Sequence, residues 1–162
     1  MADAAARNRA DRHSGLGTRG LPALNRVLAV AAAGGLGVDA YVHVTTASSY
    51  ASNGGAILNE GNLFSAEAVA AAFAAIFLLV SPRTVGWLLS LAVAVTALAA
   101  VAISTYVDVG AIGPIPDLYE PTWRVAGKVP ATLAEAFATA VSLPGLLLAR
   151  RACSRPQGES RQ

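Results

Sequence analysis

The sequence predicts an all-α integral membrane protein, a four-helix transmembrane bundle with cytoplasmic N- and C-termini. Hydrophobic residues make up 54% of the 162 residues and charged residues only 14%, whereas a soluble domain carries about 25% charged residues. The charged residues also gather at the chain ends and in two connections, so long stretches rich in Ala, Leu and Val lie between them. Such apolar stretches are typical of helices that cross a lipid bilayer.

Four segments are predicted to be transmembrane helices, at about 26–45, 63–80, 85–105 and 130–149. They form a transmembrane domain over 23–149. A disordered basic cytoplasmic tail is predicted at 1–22, where arginines stand among small and polar residues, and a second basic cytoplasmic tail at 150–162. The turn between the second and third helices is very short, so these two helices are expected to lie antiparallel and adjacent.

The first helix contains the most informative pattern. Its apolar run from Val27 to Val38 is only 12 residues long, and a hydrocarbon core about 30 Å thick requires about 20 residues. The helix must therefore continue through Asp39 and His43 to about Thr45. A basic flank before a short apolar run also resembles a signal peptide, but the residues that follow lack the small-x-small pattern of a cleavage site. The membrane-anchor interpretation is favoured.

The orientation follows from the Lys and Arg residues. Ten of the 12 lie in the N-terminal flank, the 81–84 turn or the C-terminal tail, and the two opposite connections hold only Arg124 and Lys128. Positive charge is enriched on the cytoplasmic side of membrane proteins, so both termini are predicted to be cytoplasmic. Trp87 is predicted at the inner interface. The aromatic residues that mark the outer interface are Tyr41, Tyr50, Tyr106, Tyr119 and Trp123.

Ionisable residues in the outer half of the bundle form the candidate site. Asp39 and His43 are one turn apart on one face of the first helix, and each other helix supplies a carboxylate at similar depth. A carboxylate that faces lipid costs several kcal/mol, so we expect these groups to turn toward one another. The candidate ligands for a divalent cation or for protons are Asp39, His43, Glu67, Asp108 and Glu135.

Small and polar residues in two helices are consistent with an inward-facing site. Three glycines on the first helix would let a neighbouring backbone approach closely; they are Gly34, Gly35 and Gly37. The fourth helix carries a polar stripe at helical spacing, formed by Thr132, Glu135, Thr139 and Ser142.

The carboxylates also have a purely structural interpretation. Thr132-x-x-Glu135 matches a capping box. Glu67 closely follows Asn62 and Ser65, two candidate caps of the second helix, and the amides at a helix N-terminus favour a carboxylate. Capping is the favoured interpretation for these two glutamates, whereas no cap explains Asp39. Asp108 has the alternative of being solvated in its loop.

The outer connection at 110–123 is rich in proline and aromatic residues. It is predicted to lie flat against the lipid headgroups, with a lid over the mouth of the bundle as the alternative. The basic residues lack the interleaved aromatics of nucleic-acid binding, so no nucleic-acid partner is predicted. The single cysteine, Cys153, excludes an intramolecular disulfide.

Function is less constrained than architecture. Catalytic and cofactor signatures such as a P-loop, a nucleophile elbow, HExxH or CxxC are missing from the sequence, so an enzyme is not favoured. We predict a small multi-pass protein of a bacterial cell membrane, with an acidic cluster in the outer third of the bundle that binds a cation or protons. The alternative is an accessory or structural subunit that packs against a larger membrane partner, without a ligand of its own. Besides the lipid bilayer, a membrane-protein partner or a homo-oligomer is expected.

Overall fold

The computed structural model describes residues 2–55 and 57–154, with side chains from Leu21 onward apart from Cys153. Four long helices contain most of this part of the chain. They are α1 (Ala2–Thr46), α2 (Glu60–Val80), α3 (Thr84–Tyr106) and α4 (Lys128–Cys153), and a short 3-10 turn, Ala47–Tyr50, follows α1. No β-strand occurs within these ranges, so the predicted all-α class is confirmed.

All four helices are long and apolar enough to cross a membrane. The qualifying spans are Leu21–Tyr50, Glu60–Val80, Thr84–Tyr106 and Lys128–Ala152. The first span includes Asp39 and His43, as the short apolar run before them required.

The N-terminal segment differs from its prediction. The backbone of residues 2–20 continues α1 as helix, where the sequence predicted a disordered tail. Alanine is the strongest helix former and the segment is joined to a long helix, so only propagation is needed rather than nucleation. The C-terminal residues 155–162 lie outside the described part, and the division into tails and transmembrane domain stays a prediction.

The starts of α2 and α4 correct the capping interpretation. Asn59, rather than Asn62 or Ser65, caps α2, and its side chain accepts a hydrogen bond from the amide of Asn62 at 2.8 Å. Gly127 precedes α4 and forms no side-chain cap. Glu67 and Glu135 are therefore both the eighth residue of their helices, beyond the first turn whose amides lack helical partners.

The predicted capping box at the start of α4 is also absent from this region. The Thr132 hydroxyl donates to the carbonyl of Lys128, four residues earlier, at 2.8 Å. A hydroxyl bonded in this way lies within a helix already under way. The two residues of the presumed box belong to the interior of α4.

The helices form a ring in the order α1, α2, α3, α4. α1 packs against α2 and α4, and α3 packs against α4 and α2, so that α2 and α4 lie diagonally opposite. The predicted adjacency of α2 and α3 is confirmed, but these two contact each other least of the four neighbouring pairs. We call the end with the connections 47–59 and 107–127 the long-loop end, and the other the short-turn end.

The core is rich in alanine, with larger side chains at the short-turn end. Trp87 is fully buried there, beside Leu78 and Leu146, and not at an interface as predicted. Its ring packs on Gly145, where an added Cβ would lie 2.4 Å from the indole. Its Nε1 donates to the Asn25 side chain at 3.0 Å. Burial against a glycine with a satisfied N–H gives a tryptophan a core position instead of a headgroup one.

Candidate metal centre

Asp39 and His43 form a buried pair on α1. Asp39 is 0% exposed and His43 9%. His43 Nδ1 lies 2.9 Å from Asp39 Oδ1 and 3.1 Å from the Asp39 carbonyl oxygen. The nitrogen is aligned for a hydrogen bond with the carbonyl, while its contact with the carboxylate is close but not aligned as one. The helical spacing of four residues places both side chains on one face.

Glu135 of α4 meets this pair from the neighbouring helix. It is also 0% exposed, and one ligand-type atom from each of Asp39, His43 and Glu135 lies within 4.8 Å of the other two. The approach of α1 to α4 depends on Gly35, one turn before Asp39, because a Cβ there would stand 3.1 Å from the Ala134 carbonyl oxygen. The expected role of a glycine at the helix contact is confirmed for Gly35.

The other two glycines of this run do not contribute to the contact. An added Cβ at Gly34 or Gly37 would meet nothing within 4 Å. The sequence shows three glycines within about one helical turn, but only Gly35 packs closely against α4. The face that a glycine presents is set by helix rotation in the bundle, which composition does not reveal.

The carboxylates of Asp39 and Glu135 are buried without hydrogen bonds in the described part of the chain. All four of their oxygens are buried, and none accepts a hydrogen bond from the residues that the structure describes. Removing an ionised carboxylate from water costs several kcal/mol unless a positive charge or well-placed donors compensate. Two such groups side by side also repel each other. This pair therefore needs compensation from a protonated carboxyl group, from a protonated His43 beside Asp39, or from a bound cation.

Glu67 lies near this trio but does not join it. Its charge interacts with those of Asp39 and His43, its side chain is half-buried, and its Oε1 is buried without a hydrogen-bond partner among the described residues. It lines a neighbouring cavity instead. Four of the five predicted site residues are thus close together, namely Asp39, His43, Glu67 and Glu135.

Asp108, the fifth predicted residue, lies apart. It stands two residues beyond the end of α3 and is exposed. Its carboxylate accepts from the Gly110 amide at 3.2 Å, which closes a local turn. Asp108 therefore matches the alternative interpretation, in which its carboxylate is solvated in the loop.

The predicted polar stripe of α4 faces the interior. Ser142 Oγ lies 2.8 Å from Ser90 Oγ of α3 in a buried pair, and Thr139 Oγ1 is buried without a partner in the described region. Ser90 was not predicted, because a lone serine in an apolar helix gives no sequence signal. Glu135 lies on the same helix face as these polar residues, so it points toward the interior with them.

A cavity of about 530 Å³ opens beside the trio at the long-loop end. His43 and Glu67 line it from below, and Glu60, Glu120 and Lys128 from above. Leu118, Glu120 and residues 125–127 of the loop line part of it, and the lid at 110–123 stays a prediction. Glu60, Glu120 and Lys128 were not predicted as candidates, because their positions fall in predicted connections outside the helices.

The trio has the donor set of a divalent-cation site. Carboxylate oxygens with an imidazole nitrogen suit zinc, manganese and similar ions. Ligands of a tetrahedral ion at 2.0–2.2 Å stand about 3.4 Å from each other, so atoms within 4.8 Å need only a small side-chain adjustment.

The chain was compared with family models, curated proteins and solved structures, and it matches none of them.

Proposed function

We propose that this chain is a multi-pass membrane protein that binds a divalent cation between α1 and α4, through Asp39, His43 and Glu135. One observation carries the proposal: two fully buried carboxylates on different helices, all of whose oxygens lack a described hydrogen-bond donor, lie beside an imidazole. A divalent cation would neutralise both carboxylates at once and use the imidazole as a third ligand. Zinc and manganese are the ions whose ligand preferences fit best.

The membrane part of the proposal is supported by the surface of the helices. Large apolar side chains are exposed along all four, including Val69, Phe73, Val85 and Leu133. Such a surface suits lipid and not water. We propose that the short-turn end faces the cytoplasm, because ten of the 12 basic residues fall in the sequence segments that adjoin it, as the positive-inside rule expects. The cation site then lies toward the outer face of a bacterial cell membrane.

Protons are the competing ligand. A single proton shared between Asp39 and Glu135 would remove part of their repulsion. A protonated His43 would also pair with Asp39, because its Nδ1 lies 2.9 Å from Asp39 Oδ1, but that pairing leaves the Glu135 oxygens without a donor among the described residues. The convergence of three donor atoms, rather than two, favours the metal ion.

The experiment is equilibrium dialysis of the purified protein in detergent against Zn²⁺ and, separately, Mn²⁺, with bound metal measured by mass spectrometry. We expect one tightly bound ion per chain for at least one metal. Asp39→Asn and Glu135→Gln keep the side-chain shape and remove a charged ligand, so each should weaken binding at least about tenfold. Asp108→Asn, an equal change at an exposed carboxylate, should bind as the wild type does.

Two results would overturn the proposal. One is a folded wild-type protein that retains neither metal, which would assign the buried pair to protons. The other is equal metal binding by wild type and both site variants. The accessory-subunit hypothesis stays a prediction.

A further inference from the structure

The cavity beside the trio has the size of a small-molecule site. Its volume of about 530 Å³ falls within the range of roughly 300–1,000 Å³ for ligand pockets. Its walls are mainly small and apolar, from residues such as Ala70, Ala97 and Val101. It exists because α2 and α3, although joined by a short turn, contact each other sparsely.

Loop residues form a roof over the cavity, and exposed lining residues mark an opening at its side. Its roof is fixed to the helices, because the Glu120 amide donates to the Ser104 carbonyl at 2.7 Å and the Lys128 ammonium donates to the Glu120 carbonyl. At its side, the lining residues Ala66, Thr96 and Ala100 are exposed between α2 and α3. In a bilayer this opening faces lipid, so a ligand that enters there has an apolar body.

The charges that line the cavity are mostly negative. Three carboxylates, those of Glu60, Glu67 and Glu120, stand against the single ammonium of Lys128. Glu60 accepts from the Asn53 side chain at 3.0 Å. Lys128 is held at the roof, 5.6 Å from the centre of the Trp123 ring.

Glu67 is the cavity carboxylate that has a buried oxygen without a hydrogen bond. Its Oε1 has no hydrogen-bond partner among the described residues, and the charge of His43 lies near it. It extends from α2 one turn after Phe64, so both side chains are on the same helix face. A half-buried carboxylate with one oxygen that lacks a donor favours a ligand that brings a positive charge.

Aromatic rings stand beside that carboxylate. Phe64 makes edge contacts with Tyr50, at 4.9 Å between ring centroids, and with His43, at 5.3 Å. All three rings line the cavity. Aromatic rings near a carboxylate, within apolar walls, suit an organic cation, which is attracted by the ring faces and needs little hydration.

We propose that this cavity binds a lipophilic organic monocation, an amine or quaternary cation with an apolar body, and that Glu67 pairs with its charge. A small hydrated inorganic cation would gain no favourable contact from the apolar walls. A neutral lipid chain would form no ion pair with Glu67. The proposal does not depend on the divalent cation, because Glu67 lies outside the trio that would hold it.

The test uses tetraphenylphosphonium as the probe and triphenylphosphine oxide as a neutral analogue of similar apolar surface. Binding of the radiolabelled cation to the purified full chain in detergent is measured by equilibrium dialysis. We expect saturable binding of one cation per chain, and little competition from the neutral analogue. Glu67→Gln should weaken binding at least about tenfold, as expected when a buried charge partner is removed.

Two further variants make the test specific. Asp117→Asn removes the same charge from an exposed position in the roof loop, where the carboxylate accepts from the Tyr119 amide, and should bind as the wild type does. Ala100→Trp fills the side opening while Glu67 stays intact, and should abolish binding. It also tests the cavity if Glu67→Gln does not fold.

The outcomes separate this proposal from the metal site. Glu67→Gln should still bind the divalent cation, and Asp39→Asn should still bind tetraphenylphosphonium. Unsaturable binding, equal displacement by the neutral analogue, or full affinity in both Glu67→Gln and Ala100→Trp would overturn the assignment of a cation pocket. Equal displacement by the neutral compound would assign the cavity to an uncharged lipid-like molecule.

Discussion

Asp39 on α1 and Glu135 on α4 each place a carboxylate oxygen within 4.8 Å of the other, and both side chains are 0% exposed. The two residues are 96 positions apart in the chain, so only the packing of the helices joins them. Two ionised carboxylates in an apolar bundle repel each other, and their burial needs a compensating positive charge or protonation. In the proposed function, a divalent cation would supply that charge and tie α1 to α4.

Metal binding should therefore stabilise the bundle. A ligand at 100 times its Kd that binds only the folded state adds about 2.7 kcal/mol, so Zn²⁺ or Mn²⁺ at that excess should raise the Tm of the wild type in detergent. Removal with a chelator should reverse the rise. Asp39→Asn should show no rise and Asp108→Asn the full rise. An equal rise in all three proteins would mean that the metal acts elsewhere.

Gly145→Ala should destabilise the short-turn end. The added Cβ would lie 2.4 Å from the Trp87 ring, and overpacking of a filled core costs about 1–3 kcal/mol. Gly34→Ala is the matched control, since nothing lies within 4 Å of its added Cβ. That change should leave stability equal or raise it, because alanine favours helix over glycine by about 0.5–1 kcal/mol. Equal unfolding midpoints for the two variants would contradict the packing of Trp87 on Gly145.

Asn25 should couple α1 to the turn between α2 and α3. Its side chain donates to the Pro82 carbonyl at 2.7 Å and accepts from Trp87 Nε1 at 3.0 Å. Asn25→Ala leaves both partners unpaired and should cost about 1–3 kcal/mol. A double-mutant cycle with Trp87→Phe should show a coupling energy of about 0.5 kcal/mol or more. Additive effects of the two changes would argue against the hydrogen bond.

The proposed orientation predicts the labelling of cysteines in intact cells. Cys153 is the only cysteine and should react with a membrane-impermeant thiol reagent only after the cells are permeabilised. In a Cys153→Ser background, Ser52→Cys lies in the 47–59 connection and should be labelled without permeabilisation. The reverse pattern would place the termini outside the cytoplasm.

The helices and the position of Asp39 were predictable from local sequence. An apolar run of 12 residues cannot cross a membrane, so α1 had to include Asp39 and His43, and the structure places both within it. The inward turn of Glu135 followed from its polar stripe. These predictions succeed because length and helical periodicity are properties of one segment alone.

The membership of the site and the position of the cavity depend on how the helices pack against one another. Glu67 and Asp39 are on neighbouring helices, but rotation of α2 places Glu67 at the cavity and outside the trio. Asp108 lies just after α3 ends at Tyr106, where the chain leaves the bundle. The cavity arises where α2 and α3 separate, and Lys128 lines it because α4 begins two residues earlier than its pattern indicates. Hydropathy carries no information on helix rotation or on gaps between helices.

X-ray absorption spectroscopy of the protein loaded with one equivalent of Zn²⁺ reports directly on the ligands of the bound ion. Binding by Asp39, His43 and Glu135 predicts a first shell of one imidazole nitrogen and oxygen ligands at about 2.0–2.2 Å. The imidazole scattering should disappear in His43→Gln, and the metal itself should be lost in an Asp39→Asn, Glu135→Gln double variant. A wild-type spectrum without imidazole scattering, or one unchanged by these substitutions, would contradict a cation held by this trio.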